Sequence, residues 1–314
     1  MFRKLLKKYL FLLGIILFII ILFRTNTGEI FQNFKNIKSL YLIISLGLVI
    51  PMFINKSFCW HYILRKQDIK YNFKDSFLMY WVGTYMGVIT PGRLGELSKA
   101  IYLTRDGHSM GKSMVGIVLD RISDFAFLLT FVIIGSLFFI SSIQKEILIL
   151  ILGIIIFIIL LIFFWKIGLI KWGTDKIINF LLPQKYQKSW NVNLQDFIDG
   201  FKIFKLKNYL MVFIISAFSW TFYYLQVYFL AKGANINISF LYLAITVTIT
   251  GFITLIPVSI FGIGIRDAAL ILALSPLMIP KEQIIVFSTL ILSISLFTSL
   301  IGLICWLIKP LKFK

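Results

Sequence analysis

Long apolar runs dominate this chain and limit what it can fold into. Four runs are long enough to cross about 30 Å of hydrocarbon, and shorter candidates lie at 9–23 and 39–54. The long runs are 114–140, 147–165, 209–231 and 284–308. Because 59% of the residues are hydrophobic and only 14% are charged, a soluble domain could not bury this much apolar surface. The sequence predicts an all-α polytopic membrane protein with about six spanning helices.

Basic residues cluster between the apolar runs and predict the orientation of the chain. The net charge is +19 at pH 7, and lysines and arginines concentrate at both termini and in loops 55–76 and 166–208. Such clusters are typical of cytoplasmic loops and suit an anionic membrane surface, so we expect no nucleic-acid partner. We expect a multi-pass protein of the cell's inner (cytoplasmic) membrane with cytoplasmic termini. The first apolar run resembles a signal peptide, but without a cleavage pattern we expect it to remain as a helix.

The residues that would carry metal or covalent chemistry are few and scattered. The chain has two cysteines and two histidines, too few and too separated for a disulfide framework or a metal site. No Ser-His-Asp arrangement and no phosphate-binding loop is visible in the sequence. We therefore expect no metal, no cofactor and no enzymatic activity.

Two apolar regions, 77–104 and 240–275, are broken by proline and glycine. The loop charges require each region to begin and end on the same side of the membrane. The outgoing half 94–104 has eleven residues, about 16 Å of helix, which is too short to cross. The sequence therefore predicts two re-entrant hairpins that enter from opposite faces, in addition to the spanning helices.

The two broken regions share a pattern that predicts an internal repeat. The first reads GTYMGVITPGRLGELSKA and the second GFITLIPVSIFGIGIRDAA, and Pro91 and Pro257 are 257 − 91 = 166 positions apart. Because matched helices run in opposite directions by the loop charges, an inverted repeat with discontinuous helices is predicted. We expect one transmembrane domain over 1–314, with repeats at about 9–140 and 147–308 and a cytoplasmic amphipathic loop at 166–208.

Each break should place the start of a short helix at membrane depth. Prolines end the incoming helices by restricting the preceding residue, Thr90 in the first region, and glycines allow the turn. Free N–H groups at the next helix start attract anions. The predicted breakers are Thr90, Pro91 and Pro257, and the predicted headgroup-binding residues are Arg93, Lys99, Arg266, Gly92, Gly95, Gly262 and Gly264.

Charged residues inside apolar segments are costly, so each is a functional candidate. A second set would carry coupling protons or only neutralise the cations: Glu96, Asp120, Arg121, Asp124 and Asp267. Arg93 with Glu96, and Arg121 with Asp124, have the spacing of ion pairs on a helix, and Arg93 or Lys99 could pair with Asp120. Tyr223, Tyr224 and Gln226 could line a path or simply pack. An amphipathic helix is predicted within 191–206, lying on the membrane surface or capping the bundle.

These two motifs resemble the lysylphosphatidylglycerol synthase transmembrane-region family, also called flippase-like domain proteins. The Thr-Pro-Gly-x-x-Gly-Glu stretch of that family is intact from Thr90 to Glu96, whereas its second motif has Phe261 for a glycine and Asp267 for a glutamate. The resemblance implies a stand-alone member without the aminoacyl-transferase domain that some relatives carry. It also implies a lipid translocase for an anionic phospholipid or a polyisoprenoid-linked glycolipid.

Two other functions remain open at this stage. The chain could be a membrane scaffold or accessory subunit for enzymes of lipid or glycan synthesis, docking through its lysine-rich loop. It could also be an ion-coupled carrier of a small solute. If the chain is a lipid translocase, membrane lipids are its expected partners.

Overall fold

The computed structural model describes residues 14–138, 194–254, 259 and 261–310. Within these ranges every regular element is helical, so the predicted all-α fold is confirmed. The helices are α1 (Gly14–Phe23), α2 (Thr27–Lys35), α3 (Ser39–Lys66), α4 (Phe73–Ile89), α5 (Ser98–Arg105), α6 (Met110–Phe138), α7 (194–202), α8 (Leu206–Gly233), α9 (Phe240–Thr254), α10 (Ile265–Leu274) and α11 (Lys281–Ile308), with 3₁₀ helices at Pro91–Leu97 and Ser275–Leu277. The predicted segment 147–165, loop residues 166–193 and Pro257 lie outside the described residues.

Three of the described helices, α3, α8 and α11, are long and apolar enough to cross a membrane. Each has 28 residues, about 42 Å of helix. A fourth candidate is the pair α1 and α2, which bends by 93° between Phe23 and Thr27. Asn26 caps the start of α2 by accepting from the N–H groups of Gly28 and Glu29. The connection between α1 and α3 therefore contains a short helix.

The prediction that α3 ends near residue 54 is wrong. The helix continues to Lys66, and the connection to α4 is only 67–72. The chain leaves α3 through Asp68, whose φ of 59° is left-handed, and the N–H of Ile69 donates to the carbonyl of Leu64. This is a Schellman ending, with Leu64 and Ile69 both buried. Lys56 is consequently a buried residue inside a helix and not part of a cytoplasmic loop.

The connections gather at two opposite ends of the bundle. At one end the Lys309 ammonium lies 2.7 Å from the Asp75 carboxylate at the start of α4, and Tyr102 near the end of α5 donates to the Lys309 carbonyl. At the other end the Lys38 N–H donates to the Gly233 carbonyl, and Asn26 donates to Glu282. The region α4–α5 thus begins and ends at the Lys309 end, as a re-entrant hairpin must.

The second broken region has the opposite orientation. The Tyr242 hydroxyl near the start of α9 donates to the carbonyl of Ala273 near the end of α10, so the two helices run antiparallel. Ile236 and Leu274, which flank the two open ends, belong to the same buried cluster. We call α4–α5 with its 3₁₀ helix (residues 73–105) the first hairpin and α9–α10 (residues 240–274) the second hairpin.

Helices of the first half of the chain pack against helices of the second half. Helix α3 packs along α8, α4 packs against α11, and α9 packs against α6. Between α3 and α8, Lys56 donates to Ser216 and Gln226 donates to the Ser45 carbonyl. Residues 56 and 226, and residues 45 and 216, are offset by 170 and 171 positions. This reciprocal pairing is what two inverted halves around a pseudo-two-fold axis would produce.

The amphipathic helix predicted within 191–206 is present as α7 in its described part. Phe197, Phe201 and the following Phe204 pack onto α3, α6 and α8, and a Cβ on Gly200 would lie 2.8 Å from the Val115 side chain. Lys202 and Asp199 pair on the exposed face. The apolar stripe therefore covers the bundle, which was the alternative to lying on the membrane surface.

Candidate functional site

The first hairpin turns just after α4. Helix α4 ends at Ile89, and Thr90 takes an extended conformation, as predicted for a residue before proline. The Thr90 hydroxyl donates to the Met86 carbonyl and accepts from the Gly95 N–H at 2.6 Å. Arg93 has a left-handed φ of 56°. Thr90 therefore holds the turn closed and uses one of the N–H groups that we predicted to be free for an anion.

Glycines let the returning limb of the first hairpin lie directly on α4. A Cβ on Gly95 would overlap the Met86 carbonyl, and Cβ atoms on Gly83 and Gly87 would meet the side chains of Lys99 and Glu96 at 2.6 Å and 2.7 Å. Small residues four apart are the usual means of close helix contact in membranes. The glycine face of α4 thus forms the groove that buries Lys99 and Glu96.

The tip of the second hairpin uses the same devices with different residues. Phe261 has a left-handed φ of 57°, and Gly262 and Gly264 have φ of 73° and 79°. The Asp267 carboxylate accepts from the Gly264 N–H at 2.7 Å, which caps the start of α10. A Cβ on Gly264 would overlap the carbonyl of Gly14 in α1. Asp267 therefore stabilises the turn at the tip of the second hairpin.

Asp120 of α6 is the centre of a buried ion network beside the first hairpin. It is fully buried, and its two oxygens lie 3.2 Å from the Lys56 ammonium and 3.4 Å from the Lys99 ammonium. Lys99 also lies 4.7 Å and 4.8 Å from the ring centres of Trp60 and Tyr80, where cation–π attraction supports it. The network joins α3, α6 and the hairpin's return limb.

Glu96 and Asp124 extend this ion network to the walls of the cavities described below. Arg121 lies 2.5 Å from Glu96 and 3.8 Å from Asp124, while Asp124 also accepts from Lys56 and from the Trp220 ring N–H. The predicted pairs of Lys99 with Asp120 and Arg121 with Asp124 are present. Because each buried carboxylate has more than one basic partner, its burial is compensated.

Two adjoining cavities lie at the tip of the first hairpin, and the larger one also reaches the tip of the second hairpin. The larger, about 260 Å³, is lined by both hairpins, by α6 and by the aromatic residues of α8. The smaller, about 180 Å³, reaches Lys56 and Glu96. The charged residues on the larger cavity are Arg93, Arg121, Asp124 and Arg266. Hydroxyl groups from α9, including Thr248 and Thr250, line the opposite wall.

The two arginines at the hairpin tips share one cavity in this structure. Arg93 and Arg266 line the same cavity, because the two hairpins enter from opposite ends and their tips meet. Lys99, Gly95 and Gly264, which we predicted to bind a headgroup, are not on either cavity wall, whereas Gly262 is. The side of the turn at Gly92, also a predicted headgroup residue, lies outside the described residues. The predicted roles of these residues in binding stay predictions.

The two cavity arginines are less well paired than the cations of the network. Arg93 is 55% exposed at its side chain and reaches Glu96 only at 3.8 Å. Arg266 donates to the Ser288 hydroxyl at 2.8 Å and to the Phe261 carbonyl, and within the described residues no carboxylate lies within ion-pair distance of it. The cluster as a whole has five cations and four carboxylates. The cations are Lys56, Arg93, Lys99, Arg121 and Arg266, and the carboxylates are Glu96, Asp120, Asp124 and Asp267.

Sequence reasoning missed two contributors to this site. Lys56 was assigned to a loop because lysines were counted as orientation signals, yet the apolar pattern continues past it through Cys59, Trp60 and Ile63. Trp220 lines both cavities, and a lone tryptophan in a long apolar helix carries no signal of that role. Tyr223 and Gln226 also line cavity walls, while Tyr224 is buried on Thr248.

Comparison with known proteins agrees with these observations. The sequence profile of the family described as "Lysylphosphatidylglycerol synthase TM region" matches residues 10–302. A UPF0104 membrane protein of Methanocaldococcus jannaschii, MJ1595, is 25% identical over 292 residues, covering 88% of this chain and 84% of the relative. A second from the same organism, MJ1078, is 28% identical over 192 residues, covering 60% of this chain and 77% of the relative. No solved structure matches the chain.

Proposed function

Because the chain belongs to the lysylphosphatidylglycerol synthase transmembrane-region family, we propose that it is a lipid flippase-like transporter. Its substrate would be an anionic phospholipid or a polyisoprenoid-linked glycolipid, moved between leaflets without a covalent step. The observation that carries the proposal is the cavity in which the tips of two opposed hairpins present Arg93 and Arg266 together. Guanidinium groups bind phosphate oxygens well.

The charge of the site favours an anionic substrate. Three of the five cations, Lys56, Lys99 and Arg121, are matched by Asp124, Asp120 and Glu96, respectively. The carboxylate of Asp267 is occupied in capping α10. Two arginines consequently face the cavity with little compensation, and a bound anion would supply it.

The cavity size favours a headgroup with the acyl or prenyl tail left in the membrane. A volume of about 260 Å³ lies just below the range of about 300–1,000 Å³ usual for drug-sized ligands. The scaffold alternative depends on the lysine-rich loop, and the described segment of that loop, α7, packs against the bundle. Transport is therefore the function that the described residues support best.

A reconstitution assay tests the proposal. Purified protein in liposomes is given phosphatidylglycerol, phosphatidylcholine or a polyisoprenyl phosphate with a fluorescent label, and dithionite then destroys the label accessible from outside. We expect faster exposure of an anionic label than of the phosphatidylcholine label, and no exposure in empty liposomes. Equal rates for all three lipids, or no transport of any, would reject the proposal.

We also propose that the protein lies in the cytoplasmic membrane with the Lys309 end facing the cytoplasm. Met278 is 94% exposed at the opposite end, whereas Lys202 is exposed on α7 near the Lys309 end. A membrane-impermeant maleimide should label Met278→Cys in intact cells and Lys202→Cys only after permeabilisation. The reverse pattern would overturn the orientation.

A further inference from the structure

Arg121 has an unused donor in the cavity region. It lines both cavities, and its two terminal nitrogens contact Glu96 and Asp124. Its Nε is buried and has no hydrogen-bond partner among the described residues. A buried donor without a partner is uncommon and calls for an acceptor. The described residues therefore leave part of the donor capacity of Arg121 unused.

Glu96 is the anion that the neighbouring cations share. Its carboxylate lies 2.5 Å from Arg121, 3.8 Å from Arg93 and 3.9 Å from Lys99. Its side chain is only 8% exposed, yet it lines the smaller cavity. A carboxylate between two guanidinium groups occupies the position that a phosphate would prefer.

We infer that Glu96 is an internal competitor for the substrate, and that Arg93 and Arg121 together form the phosphate site. The inference rests on the proposed function, which supplies an anionic headgroup. On binding, phosphate oxygens replace the Glu96 carboxylate on the two arginines, and Glu96 keeps Lys99, its third basic neighbour. Arg121, which the sequence indicated only as a pairing partner, becomes a substrate-binding residue.

This exchange would connect binding to movement of the first hairpin. Glu96 lies on the hairpin's return limb, whereas Arg121 lies on α6, so their ion pair ties the two together. When phosphate takes Arg121, this tie is released, and of the ion pairs between the limb and α6 in the described residues the pair of Lys99 with Asp120 remains. A ligand can shift a conformational equilibrium only by such a differential interaction.

A binding titration separates competition from a purely structural role. The probe is dihexanoyl phosphatidylglycerol, titrated by calorimetry into the full chain in neutral detergent. Glu96→Gln keeps the shape that packs on Gly87 but removes the competing charge, so we expect Kd to fall about tenfold. Arg121→Gln should raise Kd about tenfold or more. Asp199→Asn removes one negative charge from the exposed face of α7 and should leave Kd unchanged.

The outcomes distinguish this inference from the proposed function. Unchanged or weaker binding by a folded Glu96→Gln variant, or equal tightening by Asp199→Asn, overturns the inference while wild-type transport still stands. Absence of wild-type transport rejects the proposed function itself. If Glu96→Gln does not fold, Glu96→Asp replaces it: the shorter acid withdraws from Arg121 and should also bind the probe more tightly, and failure to do so counts against the inference.

Discussion

The two hairpins turn alike but are held differently. Each passes through a left-handed residue, Arg93 or Phe261, and each is closed by a side chain that accepts from a glycine N–H. The first hairpin is tied to α3 and α6 by ion pairs, whereas the second is fixed by a serine hydroxyl and by close contact with α1. Since the second hairpin turns without the ion network, the turn itself does not require those charges.

The same asymmetry is present in the packed helix pair α3 and α8. Lys56 of α3 and Gln226 of α8 occupy corresponding positions, 170 residues apart, and each donates to the opposite helix. Only Lys56 carries a charge, and it also holds Asp120. The first half therefore combines the scaffold geometry with the buried ion network, whereas the buried charges of the second half, Arg266 and Asp267, form no ion pair within the described residues.

The largest effect should follow from removing the centre of that charge system. Asp120→Asn leaves Lys56 and Lys99 buried without their shared carboxylate, so we expect a loss of about 3–5 kcal/mol in the free energy of unfolding. In the second hairpin, Asp267→Asn should cost far less because the asparagine side-chain oxygen can still accept from the Gly264 N–H. Denaturant unfolding of both variants in detergent measures the difference. Equal losses would show that the two hairpins are held alike.

A smaller effect should follow from filling the contact within the first hairpin. Gly95→Ala would force a methyl group against the Met86 carbonyl, and such overpacking costs about 1–3 kcal/mol. The matched control is Gly251→Ala in α9, where a Cβ meets nothing within 4 Å and helix propensity should add about 0.5–1 kcal/mol of stability. Thermal unfolding compares the pair, and a stable Gly95→Ala variant would contradict the close approach of the limbs.

The smallest effect is expected at the uncharged counterpart of Lys56. Gln226→Leu removes one buried hydrogen bond to Ser45, which costs about 1 kcal/mol. Lys56→Leu should cost more, because two carboxylates lose a partner. Parallel denaturant titrations measure the free energy of unfolding of both variants. Equal losses would contradict the difference between the charged Lys56 and the uncharged Gln226.

Much of this architecture follows from sequence because its signals are local. The proline and glycine breaks predict the hairpins, and loop charges predict that their open ends face opposite sides. Ion pairs between residues close in sequence, such as Arg121 with Asp124, could also be predicted. The pair of Arg121 with Glu96 was not, since it depends on how α6 packs against the hairpin. The shared cavity was missed because sequence cannot show how far two opposed tips approach.

The most direct test of the central claim is transport by an Arg93→Gln variant. Arg93 is the most exposed cation of the site, and its removal should leave the buried network and the stability nearly intact. The measurement is the transport rate, in liposomes, of the anionic lipid that the wild type moves fastest, with Lys202→Gln on exposed α7 as the charge-matched control. We predict a loss of about tenfold or more for Arg93→Gln and none for the control. Wild-type rates in a folded Arg93→Gln variant would contradict the account.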